Sequence, residues 1–139
     1  MIKHGPIIFI DDDRDDCEIL QDALTELNVP NKLICFSSGE EALSFLRTTT
    51  EKPFLILCDI NMPIMNGIQL RRQINEDDYL RRKSIPFVFY TTSATEQAIQ
   101  DAYQMSVQGF FVKEHDPSRI KSLIRTLIDY WQQCKHPNQ

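Results

Sequence analysis

Five polar residues in this sequence have the types and positions to do chemistry together. Asp59 closes the apolar run from Phe54 to Cys58, and Asp11 and Asp12 close the run from Ile7 to Ile10. Thr91 ends the run from Ile85 to Tyr90, and Lys113 ends the run from Gln108 to Val112. Several carboxylates crowded together repel one another and call for a cation. An all-oxygen set of carboxylates, a backbone carbonyl and water suits Mg²⁺, which keeps waters and binds phosphate oxygens. A carboxylate can also act as a nucleophile and form an acyl phosphate. A lysine ammonium and a hydroxyl nearby would meet the phosphoryl oxygens as charge develops there. A lone Asp at the end of a strand is ordinarily a turn or helix cap. The company of the other four residues sets Asp59 apart.

The elements that must position these residues follow from apolar patterning. Short apolar runs bounded by turn residues predict buried strands at 6–10, 32–36, 54–59, 85–90 and 108–112. Between them lie helical patterns. Cys17, Leu20, Leu24 and Leu27 share one face of a first helix from about Arg14 to Leu27, with acidic residues at its positive end. Ser38 and Glu41 form a capping box for a second helix, Asn66-Gly67 opens a third, and Ser93 with Glu96 forms a capping box for a fourth. Asp116-Pro117 starts the last helix, whose apolar stripe runs from Ile120 to Trp131. The polar stretch from Asn75 to Ser84 reads as a helix end and a long loop. Strict strand–helix alternation implies an α/β fold, a doubly wound parallel sheet covered on both faces. In such sheets chemistry gathers beyond the carboxyl ends of the strands, where the five residues sit.

At 139 residues the chain reads as a single domain, with a core of about 6–133 and a tail over 134–139. The formal charge of −5 argues against generic nucleic-acid binding. No apolar run is long enough to cross a membrane. The N-terminus lacks a signal-peptide layout, so the expected location is cytoplasmic. Cys17, Cys35, Cys58 and Cys134 show no metal-ligand spacing and read as reduced thiols. Arg71, Arg72, Arg81, Arg82 and Lys83 read as a solvated face and loop. Asp13, Asp15 and Asp16 read as solvated first-turn residues. His4, His115 and His136 read as surface or terminal residues.

Taken in order, Ile7 to Asp13, Cys58-Asp59 through Met62-Pro63, Met65-Asn66-Gly67, Thr91 and Val112-Lys113 resemble the receiver domain of two-component response regulators. The resemblance covers nearly the whole chain, about Ile7 to Trp131. It implies a (βα)₅ flavodoxin-like (CheY-like) fold with strand order 2-1-3-4-5. It implies Asp59 as phosphoacceptor and Asp11, Asp12, Asp59 and the backbone carbonyl of Asn61 around Mg²⁺. Thr91 would be the switch hydroxyl, Lys113 the phosphate-binding lysine and Phe110 the switch aromatic. Asn61 and Ser93 fall at positions that tune phosphoryl lifetime. The partners implied are a sensor histidine kinase or histidine phosphotransfer protein as donor and a downstream protein as target. A stand-alone regulator of this kind acts on neither nucleic acid nor membrane. It is a self-modifying phosphoacceptor, not a turnover enzyme.

Two departures bear on the site. The family usually places Pro after its lysine, across a cis bond, where this chain has Glu114. A cis bond without proline costs roughly 2.5–4 kcal/mol, so the Lys113–Glu114 bond is expected trans, or cis under strain. Asn66 stands where the family often has Asp, and it caps a helix equally well. Three rival readings compete. A pseudo-receiver that is never phosphorylated would not need all five residues. A flavin protein of the same fold would not put aspartates in its phosphate loop. An Asp-nucleophile phosphatase would need a general acid where Asn61 stands.

Overall fold

Strands β1 (Ile7–Ile10), β2 (Leu33–Phe36), β3 (Leu55–Cys58), β4 (Phe87–Thr91) and β5 (Gly109–Val112) pair in parallel in the order β2-β1-β3-β4-β5. The computed structural model describes residues 2–92 and 94–136. Six helices connect and follow the strands: α1 (Arg14–Glu26), α2 (Gly39–Thr48), α3 (Gly67–Glu76), α4 (Asp78–Lys83), α5 (Glu96–Gln104) and α6 (Pro117–Gln133). The doubly wound fold and its strand order are as expected from the sequence.

Alternation along the strands divides the core in two. Ile8, Ile10, Ile56, Cys58, Phe87 and Phe89 face one side, where they pack with Leu46, Leu70, Leu80 and Ala102 from α2 to α5. Ile7, Phe9, Leu55, Leu57, Val88 and Tyr90 face the other, against Leu20 and Leu24 of α1 and Ile124, Leu127 and Ile128 of α6. Both faces are covered, so β1 and β3 are apolar throughout and β4 is apolar up to its last residue, Thr91. The register is tied at the rim. The Asp59 N–H donates to the Ile10 carbonyl at 2.9 Å, and the Lys113 N–H donates to the Thr91 carbonyl at 2.7 Å.

The stretch from Asn75 to Ser84 is not a long loop. Asp77 ends α3 and also caps α4, where its side chain accepts the Leu80 N–H at 3.1 Å. Arg47 of α2 donates to the same carboxylate at 3.2 Å, and Leu80 anchors the helix in the core at 3 % exposure. A six-residue helix with one buried apolar residue leaves no periodicity to read. The N-terminal cap of α5 is Thr95, which accepts the Ala98 N–H; the cap expected at Ser93 lies outside the described residues.

Three other expectations are corrected. Cys17 of α1 and Cys35 of β2 form a disulfide, leaving Cys58 and Cys134 as free thiols. The partners lie 18 positions apart on different elements, so no local spacing marks them. Arg71 is buried: its guanidinium donates to the carbonyls of Met105 (3.2 Å) and Ser106 (2.9 Å) and lies over the Phe87 ring. That clamps α3 to the turn between α5 and β5. His136 is buried too, stacked on Phe54 and bonded to its carbonyl, so the chain beyond α6 folds back onto the sheet.

A cross-link closing a loop of this size stabilises the folded state by about 3 kcal/mol. Denaturant melts with and without a thiol reductant should differ by that amount. Cys35→Ser should abolish the difference; equal melts of the parent protein would mean that the bond adds no stability.

Candidate functional site

The ends of β1, β3, β4 and β5 bring Asp11, Asp59, Thr91 and Lys113 to one rim of the sheet. All four are buried, at 6 %, 6 %, 0 % and 8 % exposure. Asp12 is exposed at the mouth. One carboxylate oxygen from each of Asp11, Asp12 and Asp59 falls within 4.8 Å of the others. That is a hard-oxygen set of the kind that holds Mg²⁺, with Asp12 open to water.

The Lys113 ammonium lies among these acids. Its Nζ donates to Asp11 Oδ2 at 2.5 Å and stands 3.7 Å from Asp59 Oδ2. It also donates to Asp16 Oδ2 at 2.6 Å. Asp16 was expected to be solvated, but its side chain is three-quarters buried against the lysine. Asp13, by contrast, caps α1 by accepting the Asp15 N–H, and Asp15 is exposed. Asp16 is the third residue of α1, and no local spacing in the sequence singles it out from its acidic neighbours.

Burial pushes the Asp11 carboxyl up from 3.8 to about 6, against the pull of Lys113 and the Asp13 N–H. Burial also works to lower the Lys113 pKa, but Asp11, Asp16 and Asp59 more than reverse it, so the ammonium stays charged. The Cys58 thiol is pushed well up by burial and by Asp59 and Asp11, which leaves it unreactive.

Asn61 bridges two of the expected site residues. Its backbone N–H donates to Asp59 Oδ1 at 3.3 Å, and its side-chain amide donates to Thr91 Oγ1 at 3.2 Å. The second contact holds the Thr91 hydroxyl in a buried position. Phe110 is half-buried beside β4, its ring 6.2 Å from that of Phe89. Ser93, expected as a tuning residue, lies outside the described residues. The Lys113–Glu114 bond is trans, as no cis peptide occurs among the described residues. Lys113 reaches the site without the family's proline.

The loop after β3 is tightly specified. A Cβ on Gly67 would collide with the Asp59 carbonyl oxygen and come within 2.9 Å of the Phe89 ring. Glycine is therefore required for α3 to begin directly behind Asp59. Asn66 caps that helix in a reciprocal capping box with Gln69. Ile64 takes a left-handed φ of 69° while 95 % exposed, a strained state for a β-branched residue.

A doubly wound parallel sheet in the order β2-β1-β3-β4-β5, with an acidic triad, a threonine and a lysine at its carboxyl rim, is the architecture of a receiver-type signalling module. The chain belongs to the response regulator receiver domain family, whose profile matches residues 7–125. It is a component of two-component signalling and not a turnover enzyme. It is 26% identical over 130 residues to the response regulator Rcp1 of Synechocystis sp., covering 90% of this chain and 87% of that protein. It is 29% identical to the DNA-binding transcriptional regulator NtrC of Klebsiella pneumoniae, of which it spans 27%. Among solved structures, the phosphorylated cyanobacterial phytochrome response regulator RcpA superposes with a TM-score of 0.86 at 28% identity, over 96% of this chain and 99% of that one. The Mn²⁺-bound form of Rcp1 shares the fold with a TM-score of 0.82 at 24% identity, over 96% and 99%. No helix among the described residues is long and apolar enough to cross a membrane.

Two outcomes follow. Gly67→Ala should destabilise the protein by about 1–3 kcal/mol and displace Asp59, seen as a lowered melting midpoint and shifted amide signals at the rim. Unchanged stability would mean that the close approach relaxes freely. The Asp11 carboxyl is the second. A carboxyl raised in the folded state costs stability once ionised. That cost is full above pH 6 and fades as pH falls towards 3.8. Carboxyl-carbon NMR of the metal-free protein should place its midpoint near pH 6, not at the ordinary Asp value.

Proposed function

We propose that this receiver accepts a phosphoryl group on Asp59 from a phosphohistidine of a sensor kinase or phosphotransfer protein, with Mg²⁺ as cofactor. The supporting observation is the approach of Asp11, Asp12 and Asp59 within 4.8 Å, with Lys113 buried among them. Four carboxylates, counting Asp16, face one ammonium, an excess of negative charge that a divalent cation would relieve. Asp11, Asp12 and Asp59, with the Asn61 carbonyl, are the residues that would hold it. When bound, the ion neutralises charge on the phosphoryl oxygens.

An oxygen of the Asp59 carboxylate attacks phosphorus in line. The new P–O bond forms as the P–N bond to the imidazole breaks, and the imidazole leaves with the bonding pair and takes a proton from solvent. The product is an acyl phosphate. Lys113 offers its ammonium to a phosphoryl oxygen. Thr91 donates its hydroxyl to another, which requires it to leave the Asn61 amide. Withdrawal of Thr91 frees space beside Phe89 and Phe110, and the Phe110 ring follows. The surface of α5, β5 and α6 changes with it, a two-state response biased by local charge. A downstream protein reads that surface, without contact to nucleic acid or membrane. Asn61 and Ser93 set how long the phosphoryl group lasts. The donor class also fits RcpA, a phytochrome response regulator of the same fold. We place the protein in the cytoplasm, where the Cys17–Cys35 bond would open and close with thiol poise.

Incubation with Mg²⁺ and acetyl phosphate should add one phosphoryl mass to the intact protein, and Asp59→Asn should abolish it. Asp12→Asn should weaken Mg²⁺ binding about tenfold or more. No adduct would favour a pseudo-receiver that signals without phosphorylation, and an adduct that persists in Asp59→Asn would place the acceptor elsewhere.

A further inference from the structure

The site contains one carboxylate that the phosphoacceptor chemistry does not use. Asp16 Oδ2 lies 2.6 Å from Lys113 Nζ, against 2.5 Å for Asp11 Oδ2 and 3.7 Å for Asp59 Oδ2. Asp16 is not among the three residues whose oxygens converge on a common point. It reaches Lys113 from α1, across the face of the sheet from β5. The helix turn that carries it is fixed on both sides: Asp13 caps the helix, and Cys17 is bonded to Cys35 of β2. The lysine is thus held by two acids that lie closer to it than Asp59 does.

With a cation held by Asp11, Asp12 and Asp59, the hold of Asp11 on the ammonium would weaken, because like charges would meet on one carboxylate. Asp16 stands outside that group and keeps its hold. A phosphoryl group on Asp59 must then draw Lys113 off Asp16. We propose that Asp16 is a positioning residue for Lys113, a carboxylate on α1 that anchors the ammonium in the resting state and competes with the phosphoryl group for it. Its charge therefore sets how tightly the phosphorylated form is held. This rests on the phosphoacceptor reading above and deepens it.

The test is the affinity for beryllofluoride, a phosphoryl mimic, measured by NMR titration in saturating Mg²⁺. Asp16→Asn should bind the mimic roughly threefold to fivefold more tightly than the parent, the upper part of the range for loss of one ion-pair competitor. Asp16→Glu should stay within about twofold of the parent, because the competing charge is kept. Asp15→Asn removes the same charge from the same helix turn without touching Lys113, and should also stay within about twofold. Asp16→Ser repeats the measurement should the amide variant fail to fold. Unchanged or weaker binding in Asp16→Asn overturns the proposal, since the anchor would then be idle or helpful. Equal tightening by Asp15→Asn overturns it too, by reducing the effect to general charge. A parent protein that binds no beryllofluoride at all removes the phosphoacceptor reading itself, and this proposal with it.

Discussion

A single buried ammonium shared among three carboxylates is the constraint on which the rest of the structure depends. Lys113 is 8 % exposed and ion-paired to Asp11, Asp16 and Asp59. A lone charge in that position would carry a large desolvation penalty, and so would any of its partners. The cluster is tolerable only as a unit, and it still carries more negative than positive charge. That imbalance leaves the rim short of positive charge. An incomplete site of this kind favours a cation, because added positive charge relieves the repulsion among its carboxylates.

The sheet exists, in functional terms, to hold this cluster still. The lysine and its three carboxylate partners come from the ends of β1, β3 and β5 and from α1, and all but Asp11 and Asp16 are far apart in sequence. Parallel pairing in register brings their ends level, and the two-sided core keeps the strands from slipping. Behind Asp59 the packing is so close that only glycine fits at position 67. Strain gathers at the same loop, in the left-handed backbone of Ile64. Among the described residues, the Thr91 hydroxyl is held by the Asn61 side-chain amide.

The elements that sequence reading misjudged share a physical cause. The Asn75 to Ser84 stretch hid a helix because its stability comes from one buried leucine and from Asp77, which serves two helices and an arginine at once. Arg71 was read as solvated because a charge run gives no sign that two carbonyls of a distant turn will receive it. Cys17 and Cys35 looked like ordinary apolar positions, and so they are, until α1 packs beside β2. Asp16 stood beside Asp13 and Asp15, a capping residue and an exposed one. In each case the partner lies on another element, and composition carries no record of it.

What the sequence determined by itself is the order of the elements and the chemistry at their ends. Apolar runs halted by polar residues are a local signal, since the interior of a strand buried on both faces has no place for an unpaired charge, and Thr91 closes β4 as its last residue. Asp11, Asp12, Asp59, Thr91 and Lys113 were legible for that reason, as were the caps at Ser38, Asn66 and Asp116. Tertiary structure alone decided who meets whom: Asp16 with Lys113, Asn61 with Thr91, Cys17 with Cys35, Arg71 with the end of α5. These are contacts between elements, fixed by crossover geometry and packing distance, and a contact between elements has no existence until the chain has folded.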